Sequence, residues 1–152
     1  MMGTIRSVPM CHGLTLTEKL LLNTSSGQGD AIPDGSWEMG RLVLAPEARG
    51  GVDLLARCAG MALNFLAKQA DAAHLYASCS DALSRLYRLY GFSVYRDNVP
   101  LSGTGKTYTV IHGGAAKVAA SLARIGARAA RSTSHHQGIF GHERQFQRHA
   151  QA

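Results

Sequence analysis

The sequence predicts an α/β domain with a mixed central sheet and helices on both faces. Three observations carry this. Segments of strand character and segments with apolar residues at helical spacing interleave along the chain instead of separating into blocks. Clusters of Gly, Pro, Ser and Asn fall between them as punctuation. The 152 residues, 45% hydrophobic and 17% charged, suffice for one domain with one core.

Residues 3–9 (Gly-Thr-Ile-Arg-Ser-Val-Pro) alternate apolar and polar like a half-buried strand. Residues 14–22 fit either a strand or a short helix, and 23–36, rich in Gly, Ser, Asp and Asn, read as a loop. Residues 37–45 form a strand with bulk from Met39, Leu42, Val43 and Leu44, ended by Pro46. Beyond Gly50-Gly51, Val52, Leu55, Ala56, Ala59, Leu63, Leu66 and Ala70 recur at helical spacing, which predicts a helix over 52–70. A short strand over 73–79 follows. Ser80 then N-caps a helix carrying Leu83, Leu86, Tyr87 and Tyr90, and Gly91 stands where a C′ glycine belongs. Residues 92–96 and 106–112 are two further strands joined by a Pro/Gly/Ser turn, and 115–131 is an Ala-rich helix. From Ser132 the composition turns polar and His-rich, so 1–131 is expected to be the domain and 132–152 a flexible tail.

Charge is unevenly placed. Residues 115–152 hold six Lys/Arg against Glu143, which leaves ten basic and nine acidic groups before them. The basic end would attract a polyanion such as an acidic carrier protein, nucleic acid or a membrane surface; a solvated segment with no partner fits equally. Cys11, Cys58 and Cys79 are odd in number and scattered, so no disulfide framework is expected. No apolar run approaches the roughly 20 residues of a membrane span. The first residues show no secretory pattern, so a cytoplasmic location is expected.

Glu38 and Arg41 lie three apart in an otherwise apolar strand. At period two they point to opposite faces unless a bulge intervenes. Charged groups in such a strand need a partner or a cleft. In a cleft, a carboxylate is placed to accept a proton from an attacking amine; otherwise the two are a paired support for the sheet.

The pattern Trp37-Glu38-x-x-Arg41-Leu-x-x-x-Pro46, the earlier strand Gly3-Thr-Ile-Arg6, and Leu86-Tyr87-x-x-x-Gly91-Phe92 resemble the GNAT acyltransferase superfamily. The Arg-bearing strand, the long loop and Trp-Glu-x-x-Arg together resemble the LuxI-type acyl-homoserine-lactone synthases. The similarity covers roughly residues 3–112. It implies a GNAT-like sheet and transfer of an acyl group from acyl-carrier protein to the amine of S-adenosylmethionine, followed by lactone closure and release of methylthioadenosine. It implies that Glu38 matches the active-site carboxylate and that Arg41 and Arg6 match cleft arginines. No tightly bound cofactor or metal is implied. Trp37 and Ser78 are candidate substrate-binding residues, and Arg49 is a candidate for the acyl-donor cofactor.

Three departures stand out. The family's N-terminal portion falls before Met1 in that alignment, so the fold is expected to be N-terminally incomplete. Gly40 stands where the family usually has Ser or Thr. Tyr87 with Gly91-Phe92 looks more like coenzyme A-dependent acetyltransferases, where that tyrosine protonates the departing thiolate. Against a coenzyme A donor, only Arg49 and adjacent glycines survive of the pyrophosphate cradle, and Asp53 adds negative charge at the same helix start. The alternatives are a long-chain N-acyl amino acid synthase, an acetyl-coenzyme A-dependent acetyltransferase, or a non-catalytic binding module.

Other motifs fail on inspection. Ser102-Gly-Thr-Gly105-Lys106-Thr107 lacks the first P-loop glycine, whose place Pro100 takes, and reads as a hairpin turn. His135, His136, His142 and His149 lack metal-ligand partners at ligand spacing. Cys79 has no positioned base and reads as a buried small residue. Tyr76, Tyr87, Tyr90 and Tyr95 are interleaved with Arg85, Arg88 and Arg96, a pattern that could stack on bases, but helical spacing favours core packing for at least Tyr87 and Tyr90, and nucleic acid is an unfavoured partner.

Overall fold

The computed structural model describes residues 3–13, 15–24, 31–46, 52–128 and 131. Arg49 and the 132–152 tail lie outside the described residues. Strands β1 (Gly3–Pro9), β2 (Ser36–Leu44), β3 (His74–Cys79), β4 (Ser93–Leu101) and β5 (Lys106–Gly114) form one sheet in the order β1-β2-β3-β5-β4. The β2–β3 pair is parallel and the others are antiparallel. Helices α1 (Leu16–Thr24), α2 (Val52–Gln69), α3 (Asp81–Leu89) and α4 (residues 115–128) complete the described fold. It is the mixed sheet with helices on both faces that the alternation of elements predicts.

Residues 14–22, open between strand and helix, hold most of α1, which runs on through Asn23 and Thr24 into the expected loop. Thr15-x-x-Glu18 is a capping box. The Glu18 N–H donates to Thr15 Oγ1 at 3.2 Å, and the Thr15 N–H donates to Glu18 Oε2 at 2.8 Å. Leu20, fully buried, packs α1 on one sheet face with Tyr76, Val99 and Val110. The opposite face carries α2 and α4, where Ala56, Leu63, Leu66, Val118 and Leu122 surround Leu75 and Tyr90. The β2–α2–β3 unit is the parallel crossover that such a sheet requires.

Helix α3 ends as its sequence predicts. The Ser80 side chain accepts from the Leu83 N–H at 3.4 Å. At the far end the Phe92 N–H donates to the Tyr87 carbonyl and the Gly91 N–H to the Arg88 carbonyl, with Gly91 at φ +92°. This is a Schellman motif. It brings Phe92, just before β4, beside Tyr87 of α3, with the ring centroids 6.0 Å apart.

Strand β4 runs to Leu101, beyond the expected 92–96. Register shifts on both sides of Arg96 and a positive φ at Asn98 carry it onward, and Pro100 is accommodated because β4 is an edge strand. Residues 102–105 turn between β4 and β5, with Gly103 at φ +77° and Gly105 at φ +65°. The turn is a hairpin and no helix follows it. Among the described residues no helix is long and apolar enough to cross a membrane.

Candidate functional site

The site arises where strand pairing stops. β2 and β3 pair only over Ser36–Glu38 and His74–Tyr76. Beyond that β3 stays bound to β5 as far as Cys79, and β2 stays bound to β1 as far as Leu44. The two parallel strands therefore part and leave an opening in the sheet.

A bulge accompanies the parting. Thr4 pairs with Val43 but Arg6 pairs with Gly40, so Arg41 and Leu42 together oppose Ile5. Arg41 takes φ +50°, a conformation uncommon outside glycine. The extra residue bends the strand and resets its alternation. Glu38 and Arg41, which strict period two would send to opposite faces, both reach one cleft.

That cleft, of about 290 Å³, lies on the α1 face and is lined by Arg6, Leu16, Lys19, Glu38, Met39, Gly40, Arg41 and Ser78. A second cavity of about 90 Å³ lies on the α2–α3–α4 face. Its walls include Ala59, Leu75, Ala77, Cys79, Tyr87, Tyr90, Phe92, Val118 and Leu122. The two cavities share Met39, Gly40, Arg41 and Ser78, the residues at the opening.

Glu38 is 9% exposed, and its Oε2 accepts the N–H of Thr17 at 2.6 Å. Thr17 stands in the first turn of α1, so the carboxylate meets the positive end of that helix. Among the described residues no ion pair joins Glu38 to Arg41 or Arg6. The Thr17 hydroxyl also bonds the Ser78 hydroxyl at 2.7 Å, which ties α1 to β3 across the cleft. A Cβ added at Gly40 would sit 3.8 Å from Glu38 Oε1, so the missing hydroxyl of Ser or Thr would have room there. Arg6, Arg41 and Lys19 are exposed, and these cations around one carboxylate favour an anionic ligand.

Glu18 holds the loop that enters α1. Its Oε1 accepts the N–H groups of Cys11, His12 and Gly13, and its Oε2 that of Thr15. Burial pushes its carboxyl up, but these bonds outweigh burial and hold it below the usual value.

No protein-family model and no curated protein matches this sequence. Solved structures do match. The CoA-dependent acyl-homoserine lactone synthase MesI superposes with a TM-score of 0.59 at 12% identity, over 83% of this chain and 63% of its own. The CoA-dependent synthase BjaI, with SAM and isopentyl-CoA, gives 0.57 at 18%, over 82% and 59%. A protein from Lactobacillus plantarum assigned as an N-acetyltransferase gives 0.51 at 16%, over 74% and 60%. The fold is the GNAT-like fold of the acyl-homoserine lactone synthases. The chain spans about 60% of the length of these GNAT-like structures.

Within this GNAT-like fold the candidate residues divide. Arg6, Glu38, Arg41 and Ser78 converge on the cleft. Tyr87 lies across the opening in the apolar cavity. Burial, and after it the negative charge of an ionised Cys79, push the Tyr87 hydroxyl up. Cys79 is pushed to about 11 by burial and the Asp81 charge, and it packs with Ala77 and Ile111 as a core residue. Trp37 lines neither cavity. Alternation turns it away from Glu38, against the core around Leu75. Thr17, which bonds Glu38 and Ser78, Lys19 in the cleft and Leu122 in the apolar cavity carry no pattern of their own in the sequence. For the first two, Thr15-x-x-Glu18 is the available signal, because it sets where α1 begins.

Proposed function

We propose that this chain is an N-acyltransferase, and more specifically an acyl-homoserine-lactone synthase that acylates the amine of S-adenosylmethionine. One observation carries the reading: the parted β2 and β3 strands join a polar, cation-lined cleft to an apolar pocket through a shared mouth. An amine acceptor with a carboxylate suits the cleft with Arg6, Lys19 and Arg41. An acyl chain suits the pocket. The amine nitrogen attacks the thioester carbonyl at the mouth, where the backbone of Met39, Gly40 and Arg41 is free of the β3 ladder. The C–S bond breaks and the amide forms. Glu38 receives the amine proton directly or through water, and Tyr87 supplies one to the departing thiolate. Arg6 and Arg41 hold the acceptor's charges, and Ser78, fixed by Thr17, shapes the mouth.

Acyl-carrier protein and acyl-CoA both remain as thioester donors. The basic residues of α4 and beyond suit an acidic carrier protein, and Tyr87 beside the pocket suits coenzyme A. The CoA-dependent BjaI, with SAM and isopentyl-CoA, supports a reading in which both substrates meet on this fold. Incubation with S-adenosylmethionine and either donor, read by mass spectrometry, is expected to yield acyl-homoserine lactone. Glu38→Gln keeps an acceptor for the Thr17 N–H and is expected to slow transfer by about 10²–10⁴-fold. An acylated amino acid without lactone would move the assignment to the N-acyl amino acid synthases. Unchanged rates in Glu38→Gln would remove the carboxylate's role. No transfer with any donor, together with steeply salt-dependent DNA binding, would favour the binding module.

A further inference from the structure

The apolar pocket is bounded on its α4 side by Val118 and Leu122. Its inner wall includes Leu122 on α4, only 5% exposed. Behind Leu122, between α2 and α4, runs a second and larger groove of about 670 Å³. Leu122 is the residue common to the walls of both cavities. On the pocket side it stands with Val118 and Tyr90, and on the groove side with Ala56, Gly60 and Ala119. One branched side chain thus stands between a small cavity and a large one.

We infer that Leu122 is the end wall that sets acyl-chain length, and that the α2–α4 groove is the space a longer chain enters when this wall is shortened. The inference rests on the acyl-transfer reading of the pocket. Three features support it. The groove lining is mostly alanine, with Gly60 opposite Leu122 and with Arg57, Met61 and Asn64 among its longer side chains, so most of its surface is small and apolar. A Cβ built on Gly60 meets only Leu122 Cβ within 4 Å, at 3.9 Å, so the groove beside Leu122 is open at Gly60 and a side chain there would fill it. Tyr90, the other large inner residue, belongs to the same core cluster but lines the pocket alone, whereas Leu122 lines both the pocket and the groove. As built, the enzyme takes short acyl groups, and a longer chain collides with Leu122.

The experiment is titration calorimetry of the full chain with butanoate, octanoate and dodecanoate. The unaltered protein is expected to bind butanoate with no gain on lengthening the chain. Leu122→Ala is expected to gain about fourfold in affinity per added methylene that enters the groove. The double variant Gly60→Leu with Leu122→Ala refills the space and returns the profile to that of the unaltered protein. Leu122→Val, a milder truncation, serves if Leu122→Ala does not fold, and is expected to shift the preference by about one methylene. Folded Leu122→Ala (or Leu122→Val) with an unchanged profile overturns the wall and leaves the acyl reading standing. Absence of alkanoate binding in every variant overturns the acyl reading, and the wall falls with it.

Discussion

The two sides of the opened sheet follow opposite rules. On the α1 side, buried polar groups are numerous and partnered: Glu18 accepts four backbone N–H groups, Glu38 accepts the Thr17 N–H, and Thr17 bonds Ser78. On the α2–α3–α4 side, Ala56, Leu75, Tyr90 and Val118 are almost wholly buried around a pocket with an apolar wall. The difference teaches how a single sheet keeps a polar and an apolar environment apart. An ion is stable only where N–H groups or counter-charges replace water, while an alkyl chain gains only where water is excluded. The two environments meet where β2 leaves β3.

Three variants sharpen or break that contrast. The largest effect is expected from Tyr87→Phe, which retains the ring and removes the only hydroxyl acid proposed on the apolar side. Turnover with a thioester donor should fall about a hundredfold, while the melting temperature stays close to that of the unaltered protein. An unchanged rate would confine the proton chemistry to the α1 side. Next comes Gly91→Ala. The position has φ +92°, and a Cβ would approach Ser121 Oγ at 3.0 Å and the Lys117 carbonyl oxygen at 3.2 Å. A loss of about 2 kcal/mol is expected in urea unfolding, because the residue is strained and α4 is pushed from α3. Full stability would show that the apolar side yields easily.

Glu18→Gln tests the polar side, with an expected loss of about 1–2 kcal/mol near neutral pH. The sign of the pH dependence follows from the lowered carboxyl. Its stabilisation is fully present above the ordinary value near 4.5 and is lost as the pH falls through the lower, folded value. Urea midpoints measured from neutral pH down through this range should fall for the unaltered protein and fall less for Glu18→Gln. Parallel curves would show that Glu18 does not control the acid limb.

Much of this contrast was legible residue by residue. The periodicity of 52–70, the Ser80 cap and the Gly91 stop all mark elements that appear within a residue or two of their expected ends. They were legible because each rests on contacts between neighbours in the chain. Residues 14–22 are ambiguous by periodicity, and the capping box of Thr15 and Glu18 is the local signal that makes them helical. Strand β4 was expected too short, since its continuation depends on irregular pairing with β5 and on lying at the sheet edge.

By itself the sequence determined the order of elements, the mixed sheet, and that Glu38 and Arg41 interrupt an apolar strand. Tertiary structure alone decided that they share a cleft. A bulge is a matter of register with β1, and no local pattern in β2 announces the left-handed backbone at Arg41. It also decided that Trp37 faces the core, that Lys19 of α1 joins the cations, and that Leu122 stands between two cavities. These facts depend on which distant segments meet, and the energies that bring them together are summed over the whole core instead of written in any one stretch of chain.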